Sequence, residues 1–121
     1  MKINCIAVDD EPLALEIIKD YCAKIPFLNL MQAFDNAIET MQYLRNNKVD
    51  LILLDIQMED LTGIQLLNAL KTKPYVIMTT AYDNYALQGF ELDVTDYLLK
   101  PISFDRFMKG INKVYDRMLN E

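Results

Sequence analysis

The sequence predicts a single doubly wound α/β domain built on a parallel five-stranded sheet with five helices over both faces. Three observations carry that expectation. Five short apolar runs alternate with five stretches of helical periodicity; the runs are near-continuously apolar rather than apolar at every second residue; and no repeat, low-complexity tract or linker interrupts the pattern over 121 residues. Strands that are apolar on both sides must be covered on both faces, the condition met by a parallel sheet with right-handed helical crossovers. A chain of this length can bury one sizeable core but is too short for two ordinary domains.

The first run, Ile3 to Val8, ends in the acidic cluster Asp9, Asp10, Glu11, followed by Pro12. It forms a buried strand feeding a helix, because acidic residues suit a helix N-terminus and proline its first turn. Ala14, Ile17, Ile18, Tyr21, Cys22 and Ile25 then recur at helical spacing, with Glu16, Lys19, Asp20 and Lys24 opposite, until Pro26 stops the helix. Leu28 to Phe34 makes the second strand, and Ala37, Ile38, Met41 and Leu44 mark a helix ending near Asn46 and Asn47. A strand from Val49 to Leu54, a helix holding Ile64, Leu67 and Leu70, and a strand from Tyr75 to Met78 after the Pro74 break continue the alternation. A short helix around Asn84 to Phe90, a strand around Tyr97 to Leu99, and a closing helix with Phe104, Phe107, Met108, Ile111, Val114, Tyr115 and Met118 on one face complete it.

Composition narrows the function. The chain is 52% hydrophobic and 25% charged with three glycines and four prolines, which is the make-up of a packed globule and not of a disordered segment. A net charge of -6 argues against direct nucleic-acid binding, which needs clustered Lys and Arg. Unbroken apolar stretches such as Leu51 to Leu54 are far shorter than the ~18 residues of a membrane span or the ~7 to 15 of a signal-peptide core, so a cytoplasmic location is expected. Cys5 and Cys22 fall in apolar surroundings without C-x-x-C spacing and are expected as buried free thiols. Histidine is absent, which excludes His-based triads, HExxH zinc sites and an internal phosphohistidine donor.

In an open parallel sheet, ligands bind beyond the carboxyl ends of the strands, where strand order reverses. The first strand ends in Asp9 and Asp10, the third in Asp55, the fourth in Thr79 and Thr80, and the fifth runs into Lys100 and Pro101. If the order is 2-1-3-4-5, three carboxylates, a hydroxyl and an ammonium converge. Singly, each has a plain structural explanation: a helix cap, a strand end, a solvated loop lysine. Together, three carboxylates in one crevice repel one another and stay ionised only beside a cation. Mg2+ suits such an oxygen set, whereas zinc is disfavoured without His or paired Cys.

Val8-Asp9-Asp10-Glu11-Pro12, Leu53-Leu54-Asp55-Ile56-Gln57-Met58 with Gly63, Thr79-Thr80-Ala81, and Lys100-Pro101 resemble the signature of response regulator receiver domains across the whole chain. The resemblance implies the CheY-like, flavodoxin-like sheet of order 2-1-3-4-5. It implies that Asp55 takes a phosphoryl group from a phosphohistidine on a sensor histidine kinase, with Mg2+ held by Asp10, Asp55 and the Gln57 backbone carbonyl, and by Asp9 through water. Lys100 and the Thr80 hydroxyl would then bond phosphoryl oxygens, and Tyr97 would rotate inward as the coupled aromatic. For Lys100-Pro101 the resemblance implies a cis bond. The fourth helix, fifth strand and fifth helix would form the output surface and a possible homodimer contact.

Thr79 to Ala86, with Phe90-Glu91 and Asp96 to Ile102, further resembles LytTR-type regulators, in which a receiver precedes a DNA-binding domain. The chain would then be a stand-alone receiver or the N-terminal part of a transcription regulator, with DNA reached only through a further domain. Glu59 stands where the family commonly has proline, and Gln57 and Tyr82 flank access to the phosphoryl group. A haloacid-dehalogenase-like hydrolase needs a second carboxylate two residues after its Asp, where this chain has Gln57. An FMN-binding flavodoxin needs a phosphate cradle where Asp9-Asp10-Glu11 would repel it. A phosphorylation-independent interaction module is the remaining alternative.

Overall fold

The computed structural model describes residues 1–58, 62–81 and 93–121. Among them run β1 (Ile3–Val8), α1 (Pro12–Ala23), β2 (Leu28–Phe34), α2 (Ala37–Asn46), β3 (Leu51–Asp55), α3 (Gly63–Ala69), β4 (Tyr75–Thr80), β5 (Asp96–Leu99) and α4 (Phe104–Leu119). The described residues thus carry four helices where five were expected; the helix expected around Asn84 to Phe90 lies outside them, as do Glu59 and Tyr82. Every strand pair is parallel and the order is β2-β1-β3-β4-β5. The chain steps outward from β1 to β2 and then back across β1 to β3, so the switch point falls between β1 and β3.

Side-chain alternation along each strand builds one core on each face. Ile3, Cys5, Ala7, Leu51, Leu53, Ile77 and Leu98 pack with Ile18 and Cys22 of α1 and Phe107, Ile111 and Val114 of α4. Ile6, Val8, Ile52, Leu54, Val76 and Met78 pack with Ala37 of α2 and Leu66 and Leu67 of α3. Each such side chain taken out of water contributes ~1.5–3 kcal/mol, which is why near-continuous apolar strands settle in this layered form. Both cysteines are buried free thiols, as expected.

Local chemistry ends the helices. Asn36, Thr62 and Ser103 cap α2, α3 and α4, each accepting a backbone N–H three residues on, and Thr62 with Gln65 forms a reciprocal capping box. Pro12 opens α1 as expected, with Glu11 at the N-cap position. The Glu11 side chain makes no cap bond, and the Asp9 carboxylate turns toward the strand ends.

Other expectations need correction. Ile17 and Ile38, placed on core-facing stripes, are 44% and 58% exposed. On α2 the buried positions are Ala37 and Thr40, and the Thr40 hydroxyl donates to the Asn36 carbonyl at 2.8 Å, so a polar residue satisfied by its own helix enters the core beside the expected alanine. β2 is not buried on both sides: as an edge strand it exposes Asn29, Met31 and Gln32. β3 starts two residues later than expected and includes Asp55, β4 reaches Thr80, and β5 begins at Asp96, because ladder pairing carries on through these polar residues.

Candidate functional site

The carboxyl end of β3 and the loops after β1 and β5 bring polar residues to one point at the carboxyl edge of the sheet. One carboxylate oxygen from each of Asp9, Asp10 and Asp55 lies within 4.8 Å of the others, a grouping able to hold a metal ion. Asp9 and Asp55 are buried and Asp10 is partly open, so the cluster faces solvent mainly through Asp10. Lys100 reaches over from the end of β5, with Nζ 2.9 Å from Asp9 Oδ2 and 3.7 Å from Asp55 Oδ2. Asp9 Oδ1 accepts the Glu11 N–H at 2.9 Å, and Asp55 Oδ1 accepts the Gln57 N–H at 3.2 Å.

One ammonium cannot neutralise two buried carboxylates. Lys100 pairs first with Asp9, and this bond, with the Asp55 charge, raises the lysine above its ordinary value although burial alone would lower it. Asp55, the more distant partner, is pushed up from 3.8 to about 7, by burial first and then by the Asp9 charge, against Lys100 and the Gln57 N–H. Three carboxylates with one ammonium crowd acidic oxygens into a mostly buried crevice, so the donor set fits a hard divalent cation such as Mg2+.

The remaining expected residues lie on β4, β5 and the segments that follow β3 and β5. Thr79 and Thr80 end β4 and are both buried. Thr79 stands opposite Asp55 in the ladder, and the Thr80 carbonyl accepts the Lys100 N–H at 2.7 Å. The Lys100-Pro101 bond is cis. Tyr97 lies half-buried against the α2/α3-side core, and its hydroxyl is buried with no hydrogen-bond partner among the described residues. Burial raises that phenol above its ordinary value. Gly63 opens α3 against the end of β3: a Cβ there would lie 2.4 Å from the Asp55 carbonyl oxygen, so only glycine permits this approach. Its N–H donates to the Ile56 carbonyl at 2.8 Å.

Residues 5–112 match the response regulator receiver domain family. The chain belongs to that family. An uncharacterized response regulatory protein of Vibrio vulnificus is 38% identical over 114 residues, 93% of this chain and 47% of that protein. The sensory transduction protein LytR of Staphylococcus haemolyticus is 36% identical over 121 residues, 98% of this chain and 47% of that protein. The chain therefore spans about half the length of these relatives. Among solved structures, the response regulatory domain of protein mrkE from Klebsiella pneumoniae superposes with a TM-score of 0.89 at 29% identity, covering 98% of this chain and 100% of that one. The receiver domain of Francisella response regulator 1452 gives 0.84 at 28% identity, covering 97% and 99%. The chain is thus a two-component receiver, a signalling switch and not a conventional enzyme. Among the described residues no helix is long and apolar enough to cross a membrane.

One element of the receiver was not expected from the sequence. Asp96, nine-tenths buried on β5, takes a two-pronged bond from Arg106 of α4 at 2.7 and 2.8 Å and lies 3.3 Å from Lys113. Arg106 also donates to the Tyr97 carbonyl at 3.1 Å. The clip holds β5, which carries Tyr97 and leads into Lys100, against α4. Arg106, Gly110 and Lys113 share one helical face, and a Cβ at Gly110 would lie 3.2 Å from Asp96 Oδ2. That spacing is the only sequence signal for the clip, and it carries meaning only once the strand beneath is known.

Proposed function

We propose that Asp55 is the phosphoacceptor of this receiver, taking a phosphoryl group from the phosphohistidine of a sensor histidine kinase. The observation that carries this reading is the convergence of three carboxylates and Lys100 at the end of β3. A carboxylate oxygen of Asp55 attacks phosphorus, the phosphorus–nitrogen bond to the donor imidazole breaks, and the imidazole leaves with a proton; the product is an acyl phosphate. Asp10, Asp55 and the Gln57 backbone carbonyl would hold Mg2+ directly, and Asp9 would reach it through water. When bound, Mg2+ supplies neutralising charge for the phosphoryl oxygens.

Lys100 turns from Asp9 toward a phosphoryl oxygen, and the Thr80 hydroxyl bonds another. The added charge of about -1.5 to -2 draws both inward. Tyr97, half-buried with a hydroxyl that has no partner among the described residues, is the aromatic coupled to that movement. The output surface is β5, α4 and the segment 84–90, where partner binding or homodimerisation reads the state. The lengths of the relatives and the name LytR support a following LytTR-type DNA-binding domain, through which a cytoplasmic regulator would control transcription; the acidic receiver makes no nucleic-acid contact itself.

Intact-mass analysis after incubation with acetyl phosphate tests the reading. One labile phosphoryl adduct that requires both Mg2+ and Asp55, and is lost in Asp55→Asn, is expected. No adduct with any donor would favour a phosphorylation-independent interaction module.

A further inference from the structure

Lys100 is followed by a short connection, residues 100–103, that joins β5 to α4 and is pinned along its length. At its start the Lys100 N–H donates to the Thr80 carbonyl at 2.7 Å, and at its end the Ser103 hydroxyl caps α4 by accepting the Arg106 N–H at 3.2 Å. Between them, the Tyr21 hydroxyl of α1 donates to the Ile102 carbonyl at 2.7 Å, from 81 residues away in the chain. The Tyr21 ring is held independently of that bond. It packs edge-on against Phe104 at 5.3 Å and against Phe107 at 5.4 Å, and the Lys24 ammonium lies 5.4 Å from the Phe104 ring. A ring fixed by packing therefore presents one hydroxyl to the connection that carries Lys100.

We propose that Tyr21 is a positioning residue for Lys100: by fixing the Ile102 carbonyl it sets where the Lys100 ammonium stands between Asp9 and Asp55. The inference rests on the reading of Asp55 as phosphoacceptor. Lys100 stands 2.9 Å from one carboxylate and 3.7 Å from the other, so a shift of a fraction of an ångström in its anchor changes which one it serves. Without the hydroxyl, the Ile102 carbonyl loses its partner in this part-buried bond and must turn toward water to be satisfied, swinging the connection with it. A misplacement of about 1 Å at a reacting group can cost about 100-fold in rate, so a partial shift should cost about 10-fold.

The test is Tyr21→Phe, which keeps the ring and its packing. The initial rate of adduct formation with acetyl phosphate and Mg2+ is measured in the wild-type and Lys100→Ala backgrounds, with thermal melts to confirm folding. The Lys100 ammonium resonance is followed by 15N NMR without phosphodonor. A rate loss of about 10-fold beside Lys100, little further loss in Lys100→Ala, and a moved ammonium resonance are expected. Equal losses in both backgrounds would make Tyr21 merely structural and overturn the proposal. An unmoved resonance would overturn it as well, and it decides the matter if Lys100→Ala forms no adduct. Wild type without adduct would instead remove the phosphoacceptor reading, while the resonance would still test the placement of Lys100.

Discussion

Replacing Asp55 by asparagine removes one of three converging carboxylates while keeping its shape, and the metal-free protein should gain stability in a defined pH window. Burial, and then the Asp9 charge, push the Asp55 carboxyl from 3.8 up to about 7. A carboxyl whose folded value lies above its unfolded one binds more protons in the native state between those values, so stability falls as pH rises through them. Below about pH 4 Asp55 is neutral in both states, and wild type and Asp55→Asn should be equally stable. Above about pH 7 it is ionised in both, and the full penalty falls on wild type. Each tenfold step is worth about 1.4 kcal/mol, so the interval sets an upper bound of about 4 kcal/mol. Half of that would raise the urea midpoint of the variant by about 1 M, for a slope of about 2 kcal/mol/M. The assay is a paired series of urea titrations in EDTA from about pH 4.5 to 8, with added Mg2+ expected to narrow the gap at the upper end. A difference that stays flat across the window, or a variant less stable than wild type at the upper end, would refute the reasoning. Lys100 would then be neutralising Asp55 fully despite its closer bond to Asp9.

Three further outcomes test the frame around the site. Gly63→Ala places a Cβ 2.4 Å from the Asp55 carbonyl oxygen and 3.1 Å from Ile56 Cα, both backbone atoms that cannot rotate away. It should cost about 1–3 kcal/mol despite the better helix propensity of alanine, and slow adduct formation at Asp55; a melting temperature equal to or above wild type would contradict this. Arg106→Ala leaves Asp96 with Lys113 and the Tyr97 N–H, and because the Arg106 side chain is 39% exposed the loss should be about 1–2 kcal/mol. Burial alone would raise Asp96, but the Arg106 bonds, the Tyr97 N–H and Lys113 hold it below the ordinary carboxylate value. The contribution is therefore present above about pH 4 and fades below it, so a wild-type-minus-variant difference that does not shrink on acidification would reject the clip. Tyr97→Phe removes a buried hydroxyl with no partner among the described residues and should stabilise the resting domain by about 1 kcal/mol in a thermal melt; a clear loss of stability would count against the unpaired state.

Much of the fold was legible because its physics is local. Near-continuous apolar runs such as Leu51 to Leu54 belong to strands covered on both faces, and Pro12 marks a helix start through its own backbone chemistry. Asp9, Asp10, Asp55, Thr80 and Lys100 could be picked out because each directly follows or ends a strand, and a parallel sheet brings strand ends together. Position on the chain thus identified who meets at the site. Tertiary structure alone decided how they meet, since each deciding contact joins different elements of the fold. Lys100 bonds Asp9 more closely than Asp55, Gly63 closes on the Asp55 carbonyl, Tyr21 holds Ile102, and Arg106 clips Asp96 under Gly110. The same reason exposes Ile17 and Ile38 and buries Thr40: periodicity shows that a helix has an apolar face, whereas the layer packed against it determines where that face ends.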